Sequence, residues 1–209
     1  EAQFAMEHTS GKHKLQAGLN ARSIAMKNRI DEFFVEEGGE SIQETPLISQ
    51  SSRSETVNYY SGYVQDNYSI LKRLQATAGL RVYHYSLTNE TRFSPRASLA
   101  YKPGKDKVLR LSGGVYEQPP LFYELQNVGS DAFNGFSSQQ SIHGILGWEQ
   151  LFKERLSFQS EVFYKKLNRH IPYYADELKL IYRPDERTDG FAYGMDISVR
   201  GEIIEGLNS

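Results

Sequence analysis

The 209-residue chain predicts an all-β fold, an antiparallel up-and-down transmembrane β-barrel present in part. Three observations carry that expectation. Apolar and polar residues alternate with period two through run after run, as they must where successive strand side chains point to opposite faces. The connections between runs sort by length, short at one end and long at the other. Aromatic residues collect near both ends of the apolar faces. A soluble sandwich has no reason to sort its loops by end. Outer-membrane barrels carry short turns on one rim, long loops on the other and an aromatic girdle at each interface.

Composition narrows the classes. The formal net charge is −2, so no domain-wide basic excess points to nucleic acid. There is no cysteine, which removes disulfides and cysteine metal sites. The 14 tyrosines and 11 phenylalanines suit strands. No apolar run reaches the roughly 18 residues of a transmembrane helix. A mean hydropathy of −0.57 does not oppose a barrel, because only alternate strand residues meet lipid and the outer loops are polar. The start, EAQFAMEHTS, lacks the basic segment and apolar core of a signal peptide. It already reads as strand, so the chain is expected to begin inside a larger protein.

In order, Ala2 to His8 reads as a short strand and Ser10-Gly11-Lys12 as a tight turn. From His13 to Met26, Leu15, Ala17, Leu19, Ala21 and Ala25 oppose Gln16, Gly18, Asn20 and Arg22. Lys27 to Glu55 is polar and reads as a long loop. Thr56 to Ile70 is the next strand, with Tyr60, Gly62, Val64, Tyr68 and Ile70 on one face and Asp66 interrupting it. Lys72-Arg73 turns the chain into its clearest stretch, Leu74 to Pro120. There Leu80 and Val82 oppose Arg81 and Tyr83; Ala97 and Leu99 oppose Arg96 and Ser98; Leu109 and Leu111 oppose Arg110 and Ser112. Ser86 to Thr91 is a moderate connection and Pro103-Gly104-Lys105-Asp106 a tight turn.

Glu117 to Gln140 is a second long loop, followed by strands at Ile142 to Trp148 and Leu156 to Lys166. A third long loop spans Leu167 to Gly190. The last strand sets Tyr193, Met195, Ile197 and Val199 against Gly194, Asp196, Ser198 and Arg200. The expected count is about nine strands. Bacterial single-chain barrels have an even number, and open edges in lipid leave backbone groups unsatisfied. Residues 1–209 are therefore expected to be one partial barrel domain, with no plug domain in the chain.

Little points to catalysis. The five histidines are scattered, and HExxH, GxSxG and GxGxxG are absent. No cofactor is expected. The candidate site residues are of two kinds. Arg81, Arg96 and Arg110 recur on the polar faces of three successive strands, with Tyr116 nearby. They would attract an anionic substrate, or pair with carboxylates of a lumen occupant or of neighbouring strands. Phe122, Tyr123, Tyr173 and Tyr174 sit in long loops, where they would stack on a flat ligand or pack the loops together. The carboxylates from Asp31 to Glu40 lack EF-hand spacing and read as a solvated loop.

Several stretches resemble the TonB-dependent outer-membrane receptors, in particular the branch typical of Bacteroidetes. They are YVQDNYSI at Tyr63 to Ile70, TAGLRVYHYS at Thr77 to Ser86, FSPRASLAYKP at Phe93 to Pro103 and LRLSGGVYEQPPLFYEL at Leu109 to Leu125. SIHGILGWE from Ser141, VFYKKLNRHIPYY from Val162 and FAYGMDISVRG from Phe191 follow in the same order. The resemblance implies a location in the cell outer membrane and a larger parent: a 22-stranded barrel filled by an N-terminal plug. Such receptors import scarce nutrients with energy from the inner membrane. The implied partners are the plug of the same parent, the TonB complex, outer-membrane lipid and a surface lipoprotein. The chain shows no plug, TonB-contacting segment or closing strand of that family. A plug-less porin or structural barrel, and a soluble β-sandwich binding module, are the competing readings.

Overall fold

In the computed structural model, the structure describes residues 1–33, 47–125, 133, 136–152, 155–176, 179–204 and 207–208. Nine long strands follow one another: β1 (Ala2–Ser10), β2 (His13–Phe33), β3 (Leu47–Leu71), β4 (Leu74–Tyr85), β5 (Glu90–Gly104), β6 (Lys107–Gln118), β7 (Gln139–Phe152), β8 (Leu156–His170) and β11 (Thr188–Ile204). Between β8 and β11 lies a small hairpin of β9 (Tyr173–Asp176) and β10 (Lys179–Tyr182). A two-residue strand, β12 (Leu207–Asn208), completes a ten-stranded sheet. A 3₁₀ turn spans Phe122–Leu125. Among the described residues no helix is long and apolar enough to cross a membrane. That says nothing of a barrel, which crosses with strands.

Each long strand pairs antiparallel with its chain neighbours, the meander that period-two alternation with short turns predicts. The register turns residue pattern into continuous surfaces, since directly opposed residues share a face. One row runs Leu99, Leu111, Leu146, Val162, Met195 across five strands. Another runs Ala17, Val64, Leu80, Pro95. The side chains of the first row are exposed in the isolated chain, from 40% at Leu99 to 58% at Met195, and in the second row only Ala17 is half-buried. No second sheet covers them, as a sandwich would require. The opposite rows are polar: Gln16, Gln65, Gly79, Arg96, Gly114, His143, Lys165 is one. Leu80, Ala97, Leu99, Leu111 and Val162 thus share one face, and Arg81, Arg96, Arg110 and Glu161 the other.

The aromatic girdles are visible in the same ladders. Tyr101, Leu109 and Trp148 form one row toward the short-turn end. Tyr164, Phe191 and Tyr193 stack toward the long-loop end, with ring centroids 6.3 and 6.1 Å apart. Asp66 keeps its period and stays on the apolar face, where His13 Nδ1 meets its carboxylate at 2.7 Å and stacks on Tyr68 at 4.5 Å.

The long connections are shorter than the alternation suggests. Lys27–Phe33 and Leu47–Glu55 are not loop: the β2–β3 ladder continues through them, with Lys27 opposite Ser54 and Glu32 opposite Ser49. The ladder likewise reaches Gln118, resumes at Gln139, runs to His170 and resumes at Thr188. Beyond the lipid zone both faces of a hairpin meet water. Backbone pairing then continues without apolar alternation, and the sequence pattern loses its signal there. The acidic residues Glu36, Glu37 and Glu40 lie outside the described residues.

The facing has a direct test in the full receptor. Leu111→Lys and Val162→Lys each place a charge on the lipid face and should cost about 2–4 kcal/mol of barrel stability. Ser112→Lys, one residue away on the polar face, should cost little. Equilibrium unfolding of the receptor in bilayers measures the difference.

Candidate functional site

The site begins with the wall. Arg81 lies opposite Tyr63 and Ser94, Arg96 opposite the glycines at 79 and 114, and Arg110 opposite Ala100 and Gly147. Small neighbours leave room for the guanidinium groups of Arg96 and Arg110. A Cβ at Gly114 would lie 2.9 Å from the Arg96 Cβ and 3.1 Å from the Pro95 carbonyl, so glycine is required for this close approach. Arg96 extends over the Tyr116 ring at 5.1 Å, and Tyr116 stacks on His143 at 4.4 Å. Arg81 donates to the Tyr59 hydroxyl at 3.3 Å. Arg110 borders a small groove shared with Gln159 and Glu161. No described carboxylate lies within ion-pair distance of any of the three arginines.

Above this wall, the chain after β6 folds back over the polar face. Pro120 is buried, and the 3₁₀ turn that follows drives Leu125 against Val57, Tyr83, Tyr85 and Leu87. Phe133 joins the same cluster, with Phe122 and Phe136 at its margin. Tyr83 shares the face of Arg81, so this cluster closes on the arginine side of the sheet. Apolar burial at about 25 cal/mol per Å2 holds the segment in place, and polar ties fix its position. The Tyr83 hydroxyl donates to Ser138 Oγ at 2.6 Å, and the Ser138 amide donates to Glu90 at 2.8 Å. Ser138 Oγ also meets Glu90, which pairs with Arg92. Glu124 accepts from the Leu121 amide at 2.8 Å, closing the 3₁₀ turn, and from the buried Gln139 at 3.2 Å.

Two arginines of the next long connection lock onto this segment. Arg169 stands at φ 59°, next to a register shift where β8 meets β11. A bulge there re-aims a side chain. The Arg169 amide donates to Asp189 at 2.9 Å, while its guanidinium spans the Ser138 carbonyl at 3.0 Å and Glu117 at 3.0 Å. The Glu117 side chain is 3% exposed, so this is a buried, hydrogen-bonded ion pair. Arg187 donates to the Ser137 carbonyl at 3.0 Å and the Arg169 carbonyl at 3.1 Å. Burial, then the adjacent Arg169 charge, lowers its pKa from the ordinary value.

The sequence-derived candidates therefore separate. Arg96 and Tyr116 come together, while Arg81 and Arg110 stand apart along the wall. Phe122 packs into the cluster. Tyr123 turns toward Tyr182 at 5.4 Å, and Tyr182 toward Tyr173 at 5.6 Å, so these rings contact one another across two loops. Tyr174 carries Arg183 over its ring at 5.3 Å. Sequence reading passed over Glu90, Glu117, Ser138, Arg169 and Arg187, because no local period marks them. One signal was present: residues 117–140 contain acids and no Lys or Arg, while Arg169, Arg183 and Arg187 lie in the next long connection.

A meandering wall, lipid-facing on one side, polar on the other and crossed by an inward-folded segment, defines part of an outer-membrane β-barrel. The chain belongs to the TonB-dependent receptors: the family model described as "TonB dependent receptor-like, beta-barrel" matches residues 1–191. No curated protein matches the sequence. Among solved structures, the copper transporter OprC superposes with a TM-score of 0.71 at 13% identity, over 97% of this chain and 35% of its own. The siderophore receptor PirA from Acinetobacter baumannii gives 0.68 at 12% identity, over 96% and 34%. A mutant of the ferric enterobactin receptor PfeA from Pseudomonas aeruginosa, in complex with enterobactin, gives 0.64 at 16%, over 98% and 33%. At these identities the likeness shows the fold. The chain spans about a third of each of these structures.

The buried cluster makes the inward segment rigid. Leu125→Ala in the full receptor should loosen it by about 2–5 kcal/mol, read as faster amide exchange across residues 121–125. Tyr123→Ala, at an exposed ring, should leave that exchange unchanged.

Proposed function

We propose that the receptor carrying this chain imports a scarce nutrient across the outer membrane, using energy delivered through the TonB complex. This chain supplies part of the wall against which the plug docks. The observation that carries the reading is the row of Arg81, Arg96 and Arg110 on one polar face, with no described carboxylate to pair with them. A receptor-sized barrel is too wide for its own side chains to fill. Arginines enclosed by an occupant without partners are costly, so the plug presents carboxylates to this wall. Bridging the arginines to a plug suits binding and transport rather than catalysis. A plug-less porin would leave the arginine row to water, and a sandwich would cover the apolar face. Neither accounts for the family match together with this wall.

The inward segment narrows the route from the long-loop end, and the tyrosines on neighbouring loops lie at its entrance. OprC carries copper by name and PfeA is seen with enterobactin. A metal ion or its chelate is therefore the first class of cargo to screen. Lipid meets the apolar face, and a surface lipoprotein would dock over the exposed rings of Tyr123, Tyr173 and Tyr174.

Replacing Arg81, Arg96 and Arg110 together by glutamine tests the wall. Cells carrying that receptor should admit large antibiotics that the wild type excludes, and import should fall. A triple variant that folds, stays sealed and imports normally removes these arginines from both plug docking and substrate attraction.

A further inference from the structure

The net charge of −2 conceals a division by end. Residues 27–55, joining β2 to β3, carry seven Asp or Glu against three Lys or Arg. Residues 117–140 carry Glu117, Glu124 and Asp131 with no Lys or Arg. Of the four short turns, those after β1, β3 and β5 are the reverse, and the one after β7 is mixed in sequence, with Lys153, Glu154 and Arg155. The first three and their flanks hold Lys12, Lys72, Arg73, Lys102, Lys105 and Lys107, all exposed, against the single acid Asp106. Lys12 donates to the Ile70 carbonyl at 3.2 Å and Arg73 reaches the Pro103 carbonyl at 3.5 Å. Both contacts knit neighbouring turns together without neutralising either charge. On the neighbouring strands Asp66 is engaged by His13 at 2.7 Å and Glu7 by Lys14 at 2.9 Å, while Glu149 lies opposite Val108.

The depth of these cations matters as much as their number. Tyr101 and Trp148 belong to the apolar face and mark the membrane interface. Lys102 follows Tyr101 directly and so takes the polar face at that depth, while Lys107 lies on the apolar face two residues beyond Leu109, which pairs with both rings. Successive turns are two strands apart, about 10 Å along the rim. The cations therefore trace the circumference at headgroup level instead of gathering into one pocket. Long flexible stems let lysine heads reach lipid phosphates from there. A spread, rim-following array fits a lipid surface. A folded partner would need a compact patch with an apolar centre.

We propose that the short-turn rim is a binding surface for anionic phospholipid, with headgroups of the phosphatidylglycerol class held by Lys12, Lys72, Arg73, Lys105 and Lys107. The long loops face outward in this family of barrels, so the lipid belongs to the periplasmic leaflet. The surface binds whether or not the plug reading holds.

The test uses the full-length receptor in symmetric bilayers, where orientation does not matter. Spin-labelled phosphatidylglycerol and phosphatidylcholine report which lipid is held at the barrel surface. The wild type should favour phosphatidylglycerol roughly threefold, and about 0.5 M salt should erase the preference. The variant with these five cations changed to glutamine should hold both lipids equally, while its heat-modifiable gel mobility shows a folded barrel. Lys27→Gln with Lys166→Gln, toward the opposite rim, should keep the wild-type preference. Equal selectivity in the wild type and the five-site variant overturns the proposal. Equal loss in the opposite-rim variant overturns the assignment to this rim. Unchanged lipid selectivity with lost retention of an acidic periplasmic protein replaces lipid by protein as the partner.

Discussion

Lipid offers no hydrogen bonds, so every backbone amide and carbonyl at membrane depth needs a partner in the protein. The antiparallel ladder meets that demand between neighbouring strands from β1 to β11, the two outer edges excepted, and the other features depend on it. Consecutive pairing sets the register, and register assigns each side chain to a face. A slip of one residue in β5 would send Arg96 into lipid and Ala97 into the lumen. The sheet has no second layer to correct such an error. The burial of the outward rows is completed by the membrane and not by the chain.

Because the wall is one layer thick, its buried cluster forms only where the chain folds back on it. That happens at the long-loop end of the polar face, where Leu125 and Phe133 meet Tyr83 and Tyr85. The polar ties around the cluster are demanding. Glu90 and Glu117 are both largely removed from water, and each has a guanidinium partner and further hydrogen bonds. Breaking one arm would leave a buried charge without compensation, which is far more costly than never burying it. The arrangement therefore favours one position of the segment strongly over loosened alternatives. Arg169 adds a second constraint. Its left-handed backbone conformation persists only because Asp189, Ser138 and Glu117 all hold it.

The two ends of the wall solve different problems. At the long-loop end opposite charges are paired inside the fold, so the segment over the lumen is stabilised by its own carboxylates and arginines. At the short-turn end Lys12, Lys72, Arg73, Lys105 and Lys107 stand exposed beside the pairs His13–Asp66 and Lys14–Glu7. The arginines in between, on the polar face of β4 to β6, have no described carboxylate within ion-pair distance. Arg96 and Arg110 project from a ladder whose opposing residues are small, while Arg81 stands between Tyr63 and Ser94.

Much of this was legible in the residues themselves. Alternation from Leu74 to Val115 determined the strands, their facing and the lipid side, because period-two patterning is a local consequence of strand geometry. The sorting of connections by length implied two rims, and the order of short motifs resembled the receptor family. The sequence also set the charge of each end. Tertiary structure decided what local pattern cannot reach. The β2–β3 ladder runs on past Met26 because backbone pairing outside lipid needs no apolar face. Phe122 and Tyr123, adjacent in sequence, part company because a 3₁₀ turn sends one into the cluster and the other toward Tyr182. Glu117 and Arg169 are 52 residues apart and carry no shared motif. Only the fold, by bringing β6 beside β7 and β7 beside β8, makes them a buried pair.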